Sequence, residues 1–182
     1  MTPATRAVLQ ERLNQPSSST PALLTAAEYT LLRLVAGLLL PPTGLTDRID
    51  VAGEIDRRLA AGHSDGWRYA DLPADADAYR HGLRGIEAEA QAQYNVPFAQ
   101  LALVAQQHVL TAVQHAEVTA DAWGAFPTDR FFEELLAEVV EIYYSHPLAQ
   151  EEIGYVGMAD APGWTQIGLN GQDKQDVAPT TA

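Results

Sequence analysis

Residues 128–170 have the sequence TDRFFEELLAEVVEIYYSHPLAQEEIGYVGMADAPGWTQIGLN. In the first half, aromatic and aliphatic residues recur every three to four positions and glutamates fill the other face, which predicts a strong amphipathic helix. Thr128 is expected to be its N-cap, because a threonine hydroxyl can accept a hydrogen bond from a free amide of the first turn. Pro147 disfavours helical backbone at His146, so the helix is expected to end near Ser145.

The second half, from Pro147 to Asn170, has no helical period but keeps large apolar side chains separated by glycines. Such a segment cannot bury its apolar groups by itself, so we expect it to lie on the helical body or on another protein. Trp164 can close this chain's own core, or it can anchor a partner, since aromatic residues dominate interface energetics. The sequence leaves both roles open.

Upstream, the clearest helix start lies at Thr25, where Thr25 and Glu28 fit a capping box. The residues that follow, as far as Leu40, are almost all apolar, which predicts the central helix of the fold. Leu34 and Leu38 are expected to be buried in it.

Further helices are predicted after Asp50, which can cap a short helix that ends at Gly62, over 75–94, and from about 101 to 117. Gly82 and Gly85 weaken the second of these, or they allow another helix to approach closely. The predicted fold class is all-α, a single-domain irregular helical bundle with long loops and an aperiodic, aromatic and glycine-rich C-terminal tail. Its predicted parts are an N-terminal extension and linker (1–22), a helical small-subunit domain (23–170) and a disordered polar tail (171–182).

The chain has 182 residues, a formal net charge of −13 and no cysteine. This charge argues against sequence-independent nucleic-acid binding and against attraction to an anionic membrane surface. The longest apolar run, Leu31–Leu40, contains Arg33 and is too short to span a bilayer. The sequence shows no secretory signal, so the chain as written is expected to be cytoplasmic.

The sequence predicts no catalytic, cofactor-binding or metal-binding residue in this chain. No glutamate has a histidine three residues later, as a di-iron bundle requires, and the sequence contains no nucleotide-binding glycine loop. Ser145 and His146 are expected to form a turn, since sequence neighbours rarely act as nucleophile and base. His108 and His115 are seven residues apart and could share a ligand on one helix face, although a half-exposed polar stripe explains them as well. The glutamates of the 128–145 helix are expected to form a solvated face: Glu133, Glu134, Glu138 and Glu141.

Several stretches, in this order, resemble the gluconate 2-dehydrogenase subunit 3 family, the small subunit of bacterial flavin-dependent sugar and polyol dehydrogenases. The resemblance covers about residues 23–170. The stretches that carry it are LTAAEY (24–29), LPP (40–42), YRHGL (79–83), VPF (96–98), FFEELL (131–136), YYSHP (143–147) and GWTQIG (163–168).

The resemblance implies a non-catalytic accessory subunit that assists the folding or maturation of a large flavoprotein of the glucose–methanol–choline type. That partner would carry FAD, and a cytochrome c subunit can accompany it. The family resemblance also implies a periplasmic complex if a signal was removed or if the partner carries it. The residues expected to bind the partner are Tyr144, His146, Pro147, Tyr155, Gly163, Trp164 and Ile167.

Two other interpretations stay open at this stage. The chain could be a helical metal- or ligand-binding protein that uses His108, His115 and the loop around Trp67. It could also be a free-standing structural protein.

Overall fold

The computed structural model describes residues 2–14, 20–45, 48–64 and 69–155. Within these ranges the chain forms helices and connecting loops without β-strands, which confirms the all-α class. The α-helices are α1 (Pro3–Leu13), α2 (Ala26–Leu39), α3 (Val51–Ala61), α4 (Asp75–Tyr94), α5 (Leu103–Gln114), α6 (Thr128–Ser145) and α7 (Pro147–Glu152). Short 3-10 turns occupy Phe98–Gln100 and Asp121–Trp123.

Helix α2 begins with the predicted capping box. The Glu28 amide donates to Thr25 Oγ1 over 3.2 Å, and the Thr25 amide donates to Glu28 Oε2 over 2.9 Å. Leu32 and Val35 are fully buried in the core, and Leu38 is half-buried. The expectation that Leu34 is buried is wrong, because it lies on the outer face of the helix and is 37% exposed.

Helix α4 spans the predicted residues, and its two glycines lie where ring systems pack against the backbone. A β-carbon on Gly82 would overlap the Phe131 ring of α6, and one on Gly85 would overlap the Trp123 ring. The close approach of another helix considered from sequence is therefore confirmed at Gly82, whereas at Gly85 the neighbour is the ring of Trp123 in a 3-10 turn. This packing lets Phe131 and Trp123 fill the centre of the molecule, where both are almost fully buried.

Helix α6 ends at Ser145, as predicted, but its start differs from the prediction. Pro127 occupies the N-cap position, and its carbonyl accepts the Phe131 amide over 3.0 Å. Thr128 is the first residue of the helix, and its side chain turns inward and is only 2% exposed. The N-cap prediction for Thr128 is wrong, because Pro127 holds that position and the buried Thr128 hydroxyl bonds to none of the residues that the structure describes.

Two further segments differ from their predicted extent. Helix α5 is shorter than residues 101–117, because His115 is already its C-cap and Ala116 has a positive φ of 55°. Residues from Pro147 onward, expected to be aperiodic, begin with the short helix α7, which follows α6 after a single residue.

Helix α1 packs against α7 and contains no buried residue.

Two buried carboxylates fasten loops to the bundle, and sequence reasoning missed both. Asp56 of α3 is 2% exposed and accepts hydrogen bonds from the backbone amides of residues 22, 23 and 24. Glu89 of α4 is fully buried and accepts from the amides of Thr119 and Ala120 and from the indole of Trp123. Each carboxylate thereby satisfies backbone groups that precede a helix or turn.

Candidate functional site

The described part of the predicted partner surface is the junction of α6 and α7, here called the α6–α7 corner (residues 144–155). Tyr144 is half-buried, with its ring edge-on to Tyr143 at a centroid distance of 5.0 Å. Tyr143 is fully buried, and its hydroxyl bonds to Thr43 Oγ1 over 2.8 Å. Beyond α7, Ile153 is 56% exposed and Tyr155 is 50% exposed. The corner therefore presents large apolar side chains on a firmly held base.

His146 forms the turn between the two helices, as predicted, whereas Ser145 is the last residue of α6. The Ser145 hydroxyl donates to the Ile142 carbonyl over 3.0 Å, and His146 Nδ1 accepts the Leu148 amide over 3.2 Å. His146 is thus the side-chain N-cap of α7, and Pro147 takes the first helical position, where its missing N–H costs nothing.

The pKa of His146 is lowered from its ordinary value. Partial burial is the main cause, and the positive charges of Arg12 and Arg48 act in the same direction. A hydrogen bond with the Arg12 backbone and the charge of Glu54 oppose the change. The neutral imidazole, which can accept the Leu148 amide, is therefore favoured near neutral pH.

Helix α1 reaches the same corner through Arg12. Arg12 Nη1 donates to the carbonyl of Ser145 over 2.9 Å, at the last turn of α6. Gln150 Nε2 of α7 donates to the same carbonyl over 3.4 Å. The Ser145 carbonyl, left free at the helix end, is thereby shared by α1 and α7.

Next to the corner lies a cleft of about 490 Å³, bordered by α3, α6 and the start of α4. At one end, the Arg58 guanidinium makes two hydrogen bonds to the Glu138 carboxylate and a third to Asp75 Oδ2 over 2.7 Å. The Tyr79 hydroxyl also donates to Glu138. At the other end, Arg12, Arg48 and His146 lie with Asp50 and Glu54.

The charges around Glu138 belong to one structural network. Burial raises the pKa of the Tyr79 phenol well above its ordinary value, and the charge of Glu138 and its hydrogen bond add to this. Burial alone would lower the pKa of Arg58, but the bonds to Glu138 and Asp75 raise it above the ordinary value. Both shifts keep Tyr79 and Arg58 protonated around neutral pH. The network joins α3, α4 and α6.

The expectation of a solvated glutamate face is wrong for Glu138, whose side chain is only 17% exposed. A signal for this was present in the sequence. Glu138 lies three residues after Leu135 and four before Ile142, on the apolar stripe of α6 and not opposite it. Glu133, in contrast, is exposed and pairs with Arg130 over 3.2 Å.

The remaining predicted site residues lie elsewhere. Gly163, Trp164 and Ile167 lie outside the described residues, as does Trp67 of the alternative ligand site. His108 is exposed on α5, with Nδ1 2.8 Å from the Tyr94 hydroxyl, and His115 is the C-cap of that helix. In the ranges that the structure covers, no group of three or more histidines or carboxylates could hold a metal ion.

A family model described as Gluconate 2-dehydrogenase subunit 3 matches residues 26–171 of the chain. The match begins at the first residue of α2, so it leaves α1 outside. No curated protein and no solved structure matches the chain. Among the helices described, none combines the length and the apolar character needed to cross a bilayer.

Proposed function

This chain belongs to the gluconate 2-dehydrogenase subunit 3 family, and on that premise we propose that it is a non-catalytic accessory subunit. It binds and stabilises a large FAD-dependent sugar or polyol dehydrogenase of the glucose–methanol–choline type, which performs the oxidation. The observation that carries this proposal is the family match over residues 26–171, which includes most of the helical body. The FAD belongs to the partner, and a cytochrome c subunit can complete the complex.

The α6–α7 corner supports a binding role and is the proposed contact surface. Tyr155 and Ile153 are exposed apolar side chains just beyond α7, and Tyr144 lies half-buried against the ring of the buried Tyr143. Interface energy concentrates in a few aromatic or arginine anchors surrounded by weaker contacts. His146 and Pro147 shape the turn that places these side chains, so their part in binding is to fix the geometry of the corner.

Co-expression of the chain with its flavoprotein partner tests the proposal. The tagged chain should retain a larger protein that carries flavin absorbance, and the chain purified alone should show neither flavin absorbance nor dye-linked sugar oxidation. Sugar oxidation by a verified pure preparation of the chain would contradict the accessory role. Failure of every flavoprotein tested to co-purify would contradict the binding role.

The Tyr155→Ala variant locates the contact surface. Because Tyr155 is half-exposed, its loss should leave the unfolding midpoint near that of the wild type while weakening the complex by about 2 kcal/mol or more. Tyr94→Ala is the matched control, since Tyr94 is 38% exposed at the end of α4 and lies outside the proposed surface. Equal losses of complex in both variants would contradict the assignment to the corner.

Trp164 is the proposed anchor in the part of the tail beyond the described residues. If Trp164 binds the partner, Trp164→Ala should reduce the yield of complex, with a binding loss of about 2 kcal/mol or more, and should leave the thermal midpoint of the lone chain unchanged. A lowered midpoint with an unchanged yield of complex would assign Trp164 to the core of this chain instead.

A further inference from the structure

Helix α1 is held on the protein by few contacts. It has 11 residues and none of them is buried; Val8 and Leu13 are 50% and 48% exposed. An isolated helix of this length is marginally stable in water, so α1 depends on what it packs against. Its packing is against α7, and Arg12 adds the hydrogen bond to the Ser145 carbonyl.

His146 stands where α1, α6 and α7 meet. Its Nδ1 accepts the Leu148 amide, and in a neutral imidazole only the nitrogen without a proton can accept. The proton of the neutral ring is therefore on Nε2. In the imidazolium both nitrogens carry protons, so the cap of α7 is lost when the ring is protonated.

We propose that α1 is a clasp on the α6–α7 corner that opens when His146 takes up a proton. Protonation removes the N-cap hydrogen bond of α7, a helix of only six residues. The first turn of α7, the helix on which α1 packs, is thereby destabilised. Protonation also places a new positive charge close to Arg12 of α1 and Arg48. The hydrogen bond between the ring and the Arg12 backbone opposes opening, but burial and the two arginine charges outweigh it in the pKa of His146. Protonation therefore weakens the packing of α1 on α7, and opening uncovers the α7 side of the corner.

The charges that face His146 come from each element around it. Arg12 belongs to α1, Arg48 to the turn before α3 and Glu54 to α3; all three act on the ring. Asp50 and Glu141 border the same cleft. Histidine is the side-chain type whose ordinary pKa places its charge change between about pH 5 and 8, so the pH response of the clasp is assigned to His146.

The sign of the effect follows from the lowered pKa of His146 in the closed protein. When the corner opens, the ring becomes solvated and its pKa returns toward the ordinary value near 6.5. The open form then binds protons more readily than the closed form. The clasp is fully stabilised above about pH 6.5 and loses this stabilisation as the pH falls through the lower pKa of the closed form.

The clasp is independent of the proposed enzyme partner and can be tested on the chain alone. Because the chain has no cysteine, spin labels can be placed on the full chain through Ala7→Cys in α1 and Gln91→Cys in α4. Both positions are exposed. A pair in the body of the fold, Gln91→Cys with Gln107→Cys, reports whether the bundle itself changes.

In the wild-type background, the α1–α4 distance distribution should be narrow at about pH 7.5 and should gain a broad component at about pH 5. Between about pH 7.5 and 5, the ratio of open to closed protein should rise. The rise is at most about tenfold for each unit by which the pKa of His146 is higher in the open form than in the closed form. His146→Asn and His146→Ser keep an N-cap oxygen but do not titrate, so both should stay closed at both pH values. His115→Asn, which removes an exposed histidine elsewhere, should respond like the wild type.

A wild-type distribution that is unchanged at about pH 5 would overturn the clasp. So would His146→Asn and His146→Ser variants that open as far as the wild type does. Opening accompanied by an equal change in the α4–α5 pair would show general acid unfolding and would also overturn it. None of these outcomes depends on whether the chain binds a flavoprotein.

Discussion

At the scale of single residues, Glu89 shows how hydrogen bonds can stabilise a buried carboxylate that pairs with no cation in the described part of the chain. Burial alone raises the pKa of a carboxyl, but hydrogen bonds from Ala120, Gln93 and Thr119 hold the pKa of Glu89 below its ordinary value. The side chain is fully buried, and it also accepts the indole N–H of Trp123 over 3.1 Å. The charge of Glu89 is thus stabilised by hydrogen-bond donors that would otherwise be buried without an acceptor.

Replacement Glu89→Gln should lower the free energy of unfolding by about 1–3 kcal/mol near neutral pH, because the amide weakens these bonds and turns donors toward donors. The lowered pKa means that the stabilisation is present above about pH 4.5 and is lost as the pH falls through the pKa of the folded form. The gap between the thermal midpoints of wild type and variant should therefore narrow below about pH 4.5. Glu117→Gln, on the exposed residue after α5, is the control. A gap that widens in acid would contradict this account.

Thr128 offers the opposite case, a buried hydroxyl that has no hydrogen-bond partner among the described residues. The nearly isosteric Thr128→Val should stabilise the protein by about 1 kcal/mol, because it removes the cost of an unsatisfied polar group. If Thr128 were the helix cap expected from sequence, the same replacement would destabilise by about 1 kcal/mol. Chemical denaturation of the two proteins separates the alternatives by the sign of the change.

At the scale of elements, α2 shows which part of an apolar helix belongs to the core. Val35→Ala should lower the free energy of unfolding by about 1–3 kcal/mol, because Val35 is fully buried and its loss leaves a cavity. Leu34→Ala should cost less than about 1 kcal/mol, because Leu34 is 37% exposed. Denaturation curves of the two variants give the comparison. A larger loss for Leu34→Ala would mean that α2 faces the core in a different orientation.

The glycines of α4 make a second prediction at this scale. Gly82→Ala should destabilise by about 1–3 kcal/mol, because the new methyl group overlaps the Phe131 ring in a packed core. Gly37→Ala is the matched control in α2, where a β-carbon meets no atom within 4 Å. That change should stabilise by up to about 1 kcal/mol, through helix propensity alone. Equal thermal midpoints for the two variants would contradict the close approach of α6.

The helix ends that could be predicted from the sequence are those marked by residues close together in the chain. Thr25 with Glu28, and Asp50 with Gly62, mark helix ends through contacts within a few residues, and the structure has those ends. The N-cap prediction for Thr128 was wrong because Pro127 holds the cap position. The Thr128 hydroxyl points into the core, and no pattern of neighbouring residues predicts that burial. The α6–α7 corner could be placed from Pro147, but the hydrogen bond that joins α1 to the end of α6, from Arg12 to Ser145, connects residues 133 positions apart. Contacts between residues so far apart in the chain do not appear in the periodicity of the sequence.

At the scale of the whole molecule, the Arg58–Glu138 pair joins helices that are distant in sequence. Glu138→Ala should lower the free energy of unfolding by about 1–3 kcal/mol, because it leaves the Arg58 guanidinium and the buried Tyr79 hydroxyl without their shared acceptor. Partial exposure of both charges keeps the loss below that of a fully buried pair. Glu141→Ala, one turn further along α6 and exposed, should change stability by less than about 0.5 kcal/mol. Similar losses of unfolding free energy in the two variants would mean that Glu138 belongs to the solvated face of α6 after all.

The loop-fastening carboxylates also bear on how long the folded molecule lasts. Asp56 holds residues 32 to 34 positions away, and Glu89 holds residues at least 30 positions away in sequence. Such contacts close large loops and need both helices in place, so they are expected to form after the folding barrier has been crossed. Interactions absent from the transition state slow unfolding and leave the folding rate nearly unchanged. The two carboxylates are therefore expected to lengthen the lifetime of the native state more than they change the rate of folding.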